Sequence, residues 1–292
     1  MSTLVQILLS GVAIGSLYAL IALGYSLTYV VNGTLNMSQG QLVMLGGMLM
    51  YSFTVKSGIP FIPALLLTGI IVGVLGIVME RLAVRKFATD PSSVGWVLST
   101  IAAGIIIQDV AQFLWGPDER VVPSPAGEEI VRLFGAGVYW KELIFIPVAA
   151  LFFAGLAYFY KYSHWGLWLR ATADNRTAVE LVGINSHRVV ATAYMLCGIL
   201  GGLGGAMMAT NFAVSASIGL SLGLKAISVA ILAGLNSAKG IVISGLALGL
   251  AEVAVAQFIS SDFREIIIYL FVILVLYVKP TGWFGTKPVV KV

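Results

Sequence analysis

Long apolar runs separated by short polar breaks dominate the chain. Nine runs stand out, at about 4–31, 37–55, 60–80, 93–115, 143–161, 189–211, 222–236, 240–258 and 263–279. A helix needs about 20 mainly apolar residues to cross a bilayer. The runs are therefore read as membrane spans, with 222–236 short and 4–31 long enough to tilt or break. The pattern predicts an all-α polytopic membrane protein of eight or nine transmembrane helices, the count depending on whether the turn at 236–240 is a true crossing. The opening MSTLVQILLSG carries no basic stretch, and its apolar run continues to about Val31. It is read as a retained first span rather than a cleaved leader.

Composition sharpens this reading. Of 292 residues, 59% are apolar and 10% charged, against roughly 45–50% and 25% in soluble domains. So few charges cannot cover a surface facing water on all sides. Disorder, nucleic-acid binding and a disulfide scaffold are excluded on the same grounds. The net charge of +4 matters through its placement. Arg81, Arg85 and Lys86 follow the third run; Lys161, Arg170, Arg176 and Arg188 flank the loop after the fifth; Lys279, Lys287 and Lys291 lie in the tail. Alternation puts these on one side. The other side holds the 117–142 loop, with Asp118, Glu119, Glu128, Glu129 and Glu142 against Arg120, Arg132 and Lys141. Basic loops stay in the cytoplasm, which predicts an external N-terminus and a cytoplasmic C-terminus. The hydrophilic loops, 116–142 and 162–188, are too short for separate domains, so residues 1–292 form one membrane domain.

Two Gly-rich stretches interrupt the runs in corresponding places: VVNGTLNMSQGQLVMLGG near the start and ILAGLNSAKGIVISG near the end. Paired interrupted helices point to a transport site at a repeat interface; in a chain with 33 glycines chance similarity is the alternative. Asn36, Ser38, Gln39 and Gln41 sit at the first break. They line a path for a small polar solute, or they satisfy the backbone where the helix stops. Charges inside the apolar runs are few: Asp109 beside Gln108, Lys225, and Glu252. Glu252 faces a pathway or pairs with Lys225, and Asp109 with Gln108 reads as a contact between helices. Gly198, Gly201, Gly202, Gly204 and Gly205 form a close-packing stripe. Tyr194, Met207, Phe212 and the single cysteine, Cys197, read as apolar lining.

No Gly-x-x-x-x-Gly-Lys-Ser/Thr loop occurs, so ATP is not held here in that way. His164 and His187 have no carboxylates at zinc-site spacing, and there is no Gly-x-Ser-x-Gly elbow. No enzyme active site and no metal site are expected; a channel or carrier is. The loop of residues 162–189 reads as an interfacial aromatic patch, then Asp174 as an N-cap, then a short helix at about 175–182 ending at Gly183. A short helix held between two spans is a docking knob, or simply a solvated loop helix.

Five segments carry a resemblance: GSLYALIALGYSLTYVVNGTLNMSQGQLVMLGG (15–47), MERLAVRKF (79–87), RATADNRTAVELVGIN (170–185), GLKAISVAILAGLNSAKGIVISGLALGLAE (223–252) and ILVLYVKPTGWFG (273–285). Together, in order, they resemble the LivH-type permease of branched-chain amino acid ABC transporters. The resemblance implies a bacterial inner-membrane importer. A periplasmic binding protein delivers the amino acid, this chain and a second, LivM-like permease form the path, and two ATP-binding subunits drive it. ATP and magnesium then belong to those partners, and this chain binds no cofactor. The 170–185 segment is implied to be the coupling helix, with Arg170, Ala171, Asp174, Ala178, Gly183 and Ile184 facing an ATPase subunit. The sequence departs from the family at two places. Where the family usually has Asn-Phe-Ala-His-Gly-Glu, this chain has Asn36-Met37-Ser38-Gln39-Gly40-Gln41. Where the family tends to have Gly-Gly, it has Ala233-Gly234-Leu235-Asn236-Ser237. The first loses a charge, so urea or short amides join branched-chain amino acids as candidate cargo. A stand-alone channel or secondary carrier is the competing class, and it has no need of the 162–189 loop.

Overall fold

The computed structural model of the chain describes residues 2–88, 94–125, 127, 129–133, 136–260 and 263–285. Glu128, Lys287 and Lys291, and the side chain of Arg132, lie outside the described residues. Each of the nine apolar runs is a helix. In chain order the elements are α1 (Ser2–Asn32), α2 (Gln39–Tyr51, continued by a π-type turn Ser52–Lys56), α3 (Phe61–Met79, continued by a π-type turn Glu80–Val84), α4 (Gly95–Trp115), strands β1 (Ile130–Leu133) and β2 (Ala136–Tyr139), α5 (Trp140–Tyr162), α6 (His164–Asp174), α7 (Arg176–Leu181), α8 (Ser186–Asn211), α9 (Gly219–Ala233), α10 (Ala238–Phe258) and α11 (Arg264–Val278). Among the described residues six helices are long and apolar enough to cross a membrane by themselves: α1, α3 with its continuation, α4, α5, α8 and α10. The shorter α2, α9 and α11 complete the bundle.

The span count from apolar runs alone thus exceeds the number of full-length helices, and α2 shows why. Gly33, at φ +69°, ends α1, and an irregular segment then climbs into the bundle. Gln39, the first residue of α2, is already bonded to Cys197. Cys197 lies eleven positions into α8, about 16 Å from its start at 1.5 Å per residue. The helix begins inside the bundle and needs fewer residues to reach the far side.

Burial sorts the helices. In α1 and α8, 72% of the apolar window is buried; in α4 and α5 the shares are 17% and 11%. The first two are the core, and the last two are its wall. With no hydrophobic drive between helices in lipid, close approach of small residues holds the core together. The glycines of α8 do this within the chain. A Cβ on Gly205 would overlap the Val43 carbonyl of α2, and one on Gly198 the Val72 carbonyl of α3.

The two ends of the bundle differ. At one end the only sheet among the described residues is the antiparallel β1–β2 hairpin, which the helical pattern did not predict. Here Arg120 and Val214 exchange backbone hydrogen bonds of 2.8 Å, and Ser10 of α1 donates to Glu142 of α5 at 2.8 Å. At the other end lie α6, α7 and the segment 279–285. There Trp283 and Phe284 donate their backbone N–H groups to the Leu232 and Ala233 carbonyls, capping the end of α9. α1 runs from the hairpin end to the α6–α7 end.

Candidate functional site

The first break is a polar knot inside an apolar bundle. Asn36, Ser38 and Gln39 are fully buried and Gln41 nearly so. With no water in the hydrocarbon region, polar groups there must find partners within the protein. Most do. The Asn32 amide donates to Thr34 Oγ1 at 2.8 Å, and Thr34 Oγ1 lies 2.9 Å from the Tyr194 hydroxyl. Asn36 Oδ1 accepts from Ser38 Oγ at 2.6 Å. The Gln39 amide donates to the Cys197 carbonyl at 3.0 Å and its Oε1 accepts from the Cys197 thiol at 2.8 Å. Among the described residues Asn36 Nδ2 has no nitrogen or oxygen acceptor, and the Cys197 thiol lies beside it. Of the backbone groups at the break, Ser38 N is held by a side chain, donating to Asn36 Oδ1 at 3.3 Å; the other bonds join side chains to each other and to α8. Gln41 and Ser38 face Gly104 of α4, where a Cβ would crowd both at 3.2 Å.

The 162–189 loop folds as two helices. Asp174, read as an N-cap, is the last residue of α6. The cap of α7 is its neighbour Asn175, whose extended backbone (φ −157°, ψ 98°) lets its Oδ1 accept from Ala178 N at 3.0 Å. An N-cap needs that non-helical conformation, and the α6 helix keeps Asp174 out of it. At the other end Gly183 takes φ +85°. Its N–H bonds the Glu180 carbonyl and that of Ile184 bonds the Val179 carbonyl, the paired closure that favours glycine at this position. Val179 is buried and Ile184 half-buried against Val31, Leu169 and Tyr194. Ala178, Leu181 and Val182 project outward; Leu181 is 84% and Val182 74% exposed. Arg170 and Ala171 lie within α6, with Arg170 donating to the carbonyls of Gly166 and Lys161 and standing over the Tyr160 ring.

Arg176 joins the two regions. Its Nη1 donates to Asn32 Oδ1 at 3.4 Å and its Nε to Ser186 Oγ at 3.1 Å. Glu180 accepts from Ser186 and lies 3.5 Å from Arg176. The Ser186 hydroxyl foremost, with the Arg176 guanidinium, holds the Glu180 carboxyl below its ordinary range. A hydrogen-bonded run thus leads from α7 through Arg176, Asn32 and Thr34 to Tyr194 in the core. At its Arg176–Asn32 end opens a cavity of 560 Å³ lined by Asn32, Gly33, Asp174, Arg176 and Asn236. Both Gly-rich breaks and the loop between them meet at this cavity.

The charged residues divide. Glu252 is 2% exposed and Lys225 6%, and they pair at 3.0 Å. Lys225 also lies 3.3 Å from Glu265. Arg264 Nε stands 3.2 Å from Glu252, near enough to attract it but not aligned to hydrogen-bond. Glu252 is therefore held in an ion cluster between α9, α10 and α11. Asp109 behaves differently. It is exposed on the outward face of α4, among exposed Ile105, Ile106 and Phe113. Among the described residues it has no ion-pair partner, and the expected helix contact is not made among them.

Sequence reasoning passed over Tyr194, Asn32, Thr34, Arg176, Leu181 and Val182. One signal was available: two large apolar residues precede a glycine in an otherwise hydrophilic loop. The Thr34–Tyr194 pair, 160 positions apart, left no local trace.

Comparison with known proteins places these features. A family model described as the permease component of branched-chain amino acid transport systems matches residues 7–276. The high-affinity branched-chain amino acid transport system permease protein LivH of Salmonella typhimurium is 30% identical, over 98% of this chain and 97% of its own length. The corresponding permease BraD of Pseudomonas aeruginosa is 27% identical over the same shares. Among solved structures, PsaBC from Streptococcus pneumoniae in complex with a Fab aligns with a TM-score of 0.52 at 14% identity. That alignment covers 96% of this chain and 93% of the other, a likeness of fold.

Proposed function

The chain belongs to the family of permease components of branched-chain amino acid transport systems, and on that footing we propose that it is the membrane subunit of an ABC importer. Its cargo is a branched-chain amino acid or a related small zwitterion; urea and short amides are the alternative, because the first break carries neutral glutamines rather than charges. The α6–α7 end is cytoplasmic and the hairpin end faces a periplasmic binding protein. Two ATP-binding partners hold the nucleotide and magnesium, and this chain carries out no covalent chemistry.

The observation that supports this reading best is the run from Arg176 through Asn32 and Thr34 to Tyr194. A self-sufficient channel has no use for an exposed helix tied to its core. An importer driven from outside needs one. Leu181 and Val182 offer an apolar knob for a cleft on the ATPase, and Val179 with Ile184 anchors it. When the ATPases close, the knob moves, and Arg176 carries that displacement to the end of α1 and the break behind it. Rigid elements with two arrangements are what such coupling requires. A second, distinct permease completes the path. Asp109 supports its placement on the outward face of α4, since a carboxylate facing lipid at mid-helix costs roughly 2.5–3.5 kcal/mol.

The test is the Leu181→Asp, Val182→Asp double variant, expressed with its neighbours in the host membrane and purified in mild detergent. The variant chain should be recovered in normal amount without ATPase subunits, and uptake should fall at least tenfold. Unchanged ATPase recovery with normal uptake would remove the coupling role. Uptake by the chain alone, without ATP, would make it a channel or carrier.

A further inference from the structure

A second cavity, of 440 Å³, lies between α1, α5 and α10 near the α6–α7 end. Its body is apolar, formed by Leu27, Val30, Leu156 and Val242; Lys161, Arg170 and Lys239 line it as well. These three cations come from three different elements: the end of α5, the middle of α6 and the first turn of α10. Among the described residues no carboxylate lies within ion-pair distance of any of them. Asp174, one turn beyond Arg170, lines the other cavity. Lys161 and Lys239 are exposed. The groove lies between α1 of the core and α5 of the bundle wall, and the exposed Ala157 of α5 lines it, so it opens toward lipid.

An apolar groove beside a membrane helix, with cations that lack carboxylate partners among the described residues at its interfacial end, matches one kind of molecule. We propose that it binds a single anionic phospholipid, its acyl chain between α1, α5 and α10 and its phosphate on Lys161, Arg170 and Lys239. Basic pockets between helices at the membrane surface recognise anionic headgroups in this way. The start of α10 adds the positive end of a long helix to the same place. A zwitterionic lipid fills the groove equally well but carries a compensating charge that the three cations repel. An extended peptide would bring unpaired backbone polar groups into a lining that offers few partners, and a second helix of about 10 Å diameter is broader than a groove of 440 Å³ admits. The proposal holds whether or not the chain is an importer, because it depends on the membrane fold alone.

The full chain, purified in mild detergent, is titrated with phosphatidylglycerol and separately with phosphatidylcholine while bound lipid is counted by native mass spectrometry. One phosphatidylglycerol should be retained at least tenfold more tightly than phosphatidylcholine. Each cation is worth about fivefold, so Lys161→Ala, Lys239→Ala should erase most of that preference. Lys141→Ala, at the hairpin end, should leave it intact. Should the double variant fail to fold, Val242→Trp fills the groove and keeps every charge, and it should displace the retained lipid. Equal retention of the two lipids, or a preference unmoved by the double variant or by Val242→Trp, would overturn the proposal.

Discussion

Arg176, in the first turn of α7, holds the side-chain oxygen of Asn32, the last residue of α1. The pair is 144 positions apart in sequence. Together with the Thr34–Tyr194 bond it makes the exposed loop and the buried break mechanically one unit. Arg176 is 40% exposed, so water screens the bond and its free energy is about 1 kcal/mol or less. A link of that size is suited to setting a balance between two arrangements rather than to stabilising the fold. Asn32→Ala and Arg176→Ala should each lower uptake up to about fivefold while ATP hydrolysis by the assembled complex continues. Arg176→Lys keeps the charge and loses the fork, and it should recover part of the uptake. The ratio of substrate moved to ATP hydrolysed, measured in vesicles, distinguishes this from simple loss of protein.

Lys225 and Glu252 give a different kind of expectation. Both are buried, and breaking one side of a buried pair costs about 3–5 kcal/mol because it strands the other charge. Here Arg264 and Glu265 stand by, so either survivor retains a partner and the cost should fall toward the lower figure. Glu252→Leu and Lys225→Met should each lower the apparent melting temperature in detergent. The double variant should melt higher than either single one. Additive losses would show that the two charges do not depend on each other.

Two glycines fail for opposite reasons when replaced. Nothing stands within 4 Å of a Cβ on Gly183, so only its φ of +85° resists substitution. Ala should cost about 1 kcal/mol there, Val more, and Asn least, since Asn tolerates the left-handed region. At Gly205 the backbone is helical, but the Val43 carbonyl occupies the space a Cβ needs. Backbone cannot yield as a side chain does, so Gly205→Ala should cost at least about 2 kcal/mol. Uptake should rank Gly183→Asn above Gly183→Val, with Gly205→Ala recovered in low amount. Equal recovery of Gly205→Ala and Gly183→Ala would contradict the packing of α2 on α8.

Much of this architecture is legible in the residues because hydrocarbon enforces it. Charges are few in the spans, so the apolar runs mark every helix of the bundle, though not α6 and α7 of the loop; Gly33 and Gly234 mark the two breaks; the glycines of α8 mark its packing face. What escapes is whatever depends on distant partners. Asp174 and Asn175 are both good cap residues, and only the length of α6 decides between them. Glu252 is compatible with a pathway or an ion pair until Lys225 and Arg264 are seen beside it. Tyr194 looks like one more aromatic in an apolar run, yet its hydroxyl ends the chain of bonds that starts at Arg176. The depth at which α2 begins depends on Cys197, and no local pattern encodes it.

That buried beginning constrains how the protein is made. During synthesis α2 emerges with Gln39 at its head, before the Cys197 partner of that amide exists; Thr34, just ahead of it, likewise lacks Tyr194. Cys197 and Tyr194 are more than 150 positions away in sequence and have not yet left the ribosome. Polar groups of that kind resist entry into lipid unaccompanied. The α1–α2 pair must therefore wait at the insertion machinery, or in a shallow position, until α8 arrives to receive it. Assembly in the membrane cannot proceed strictly from the first helix to the last, and a chain truncated before α8 should be short-lived.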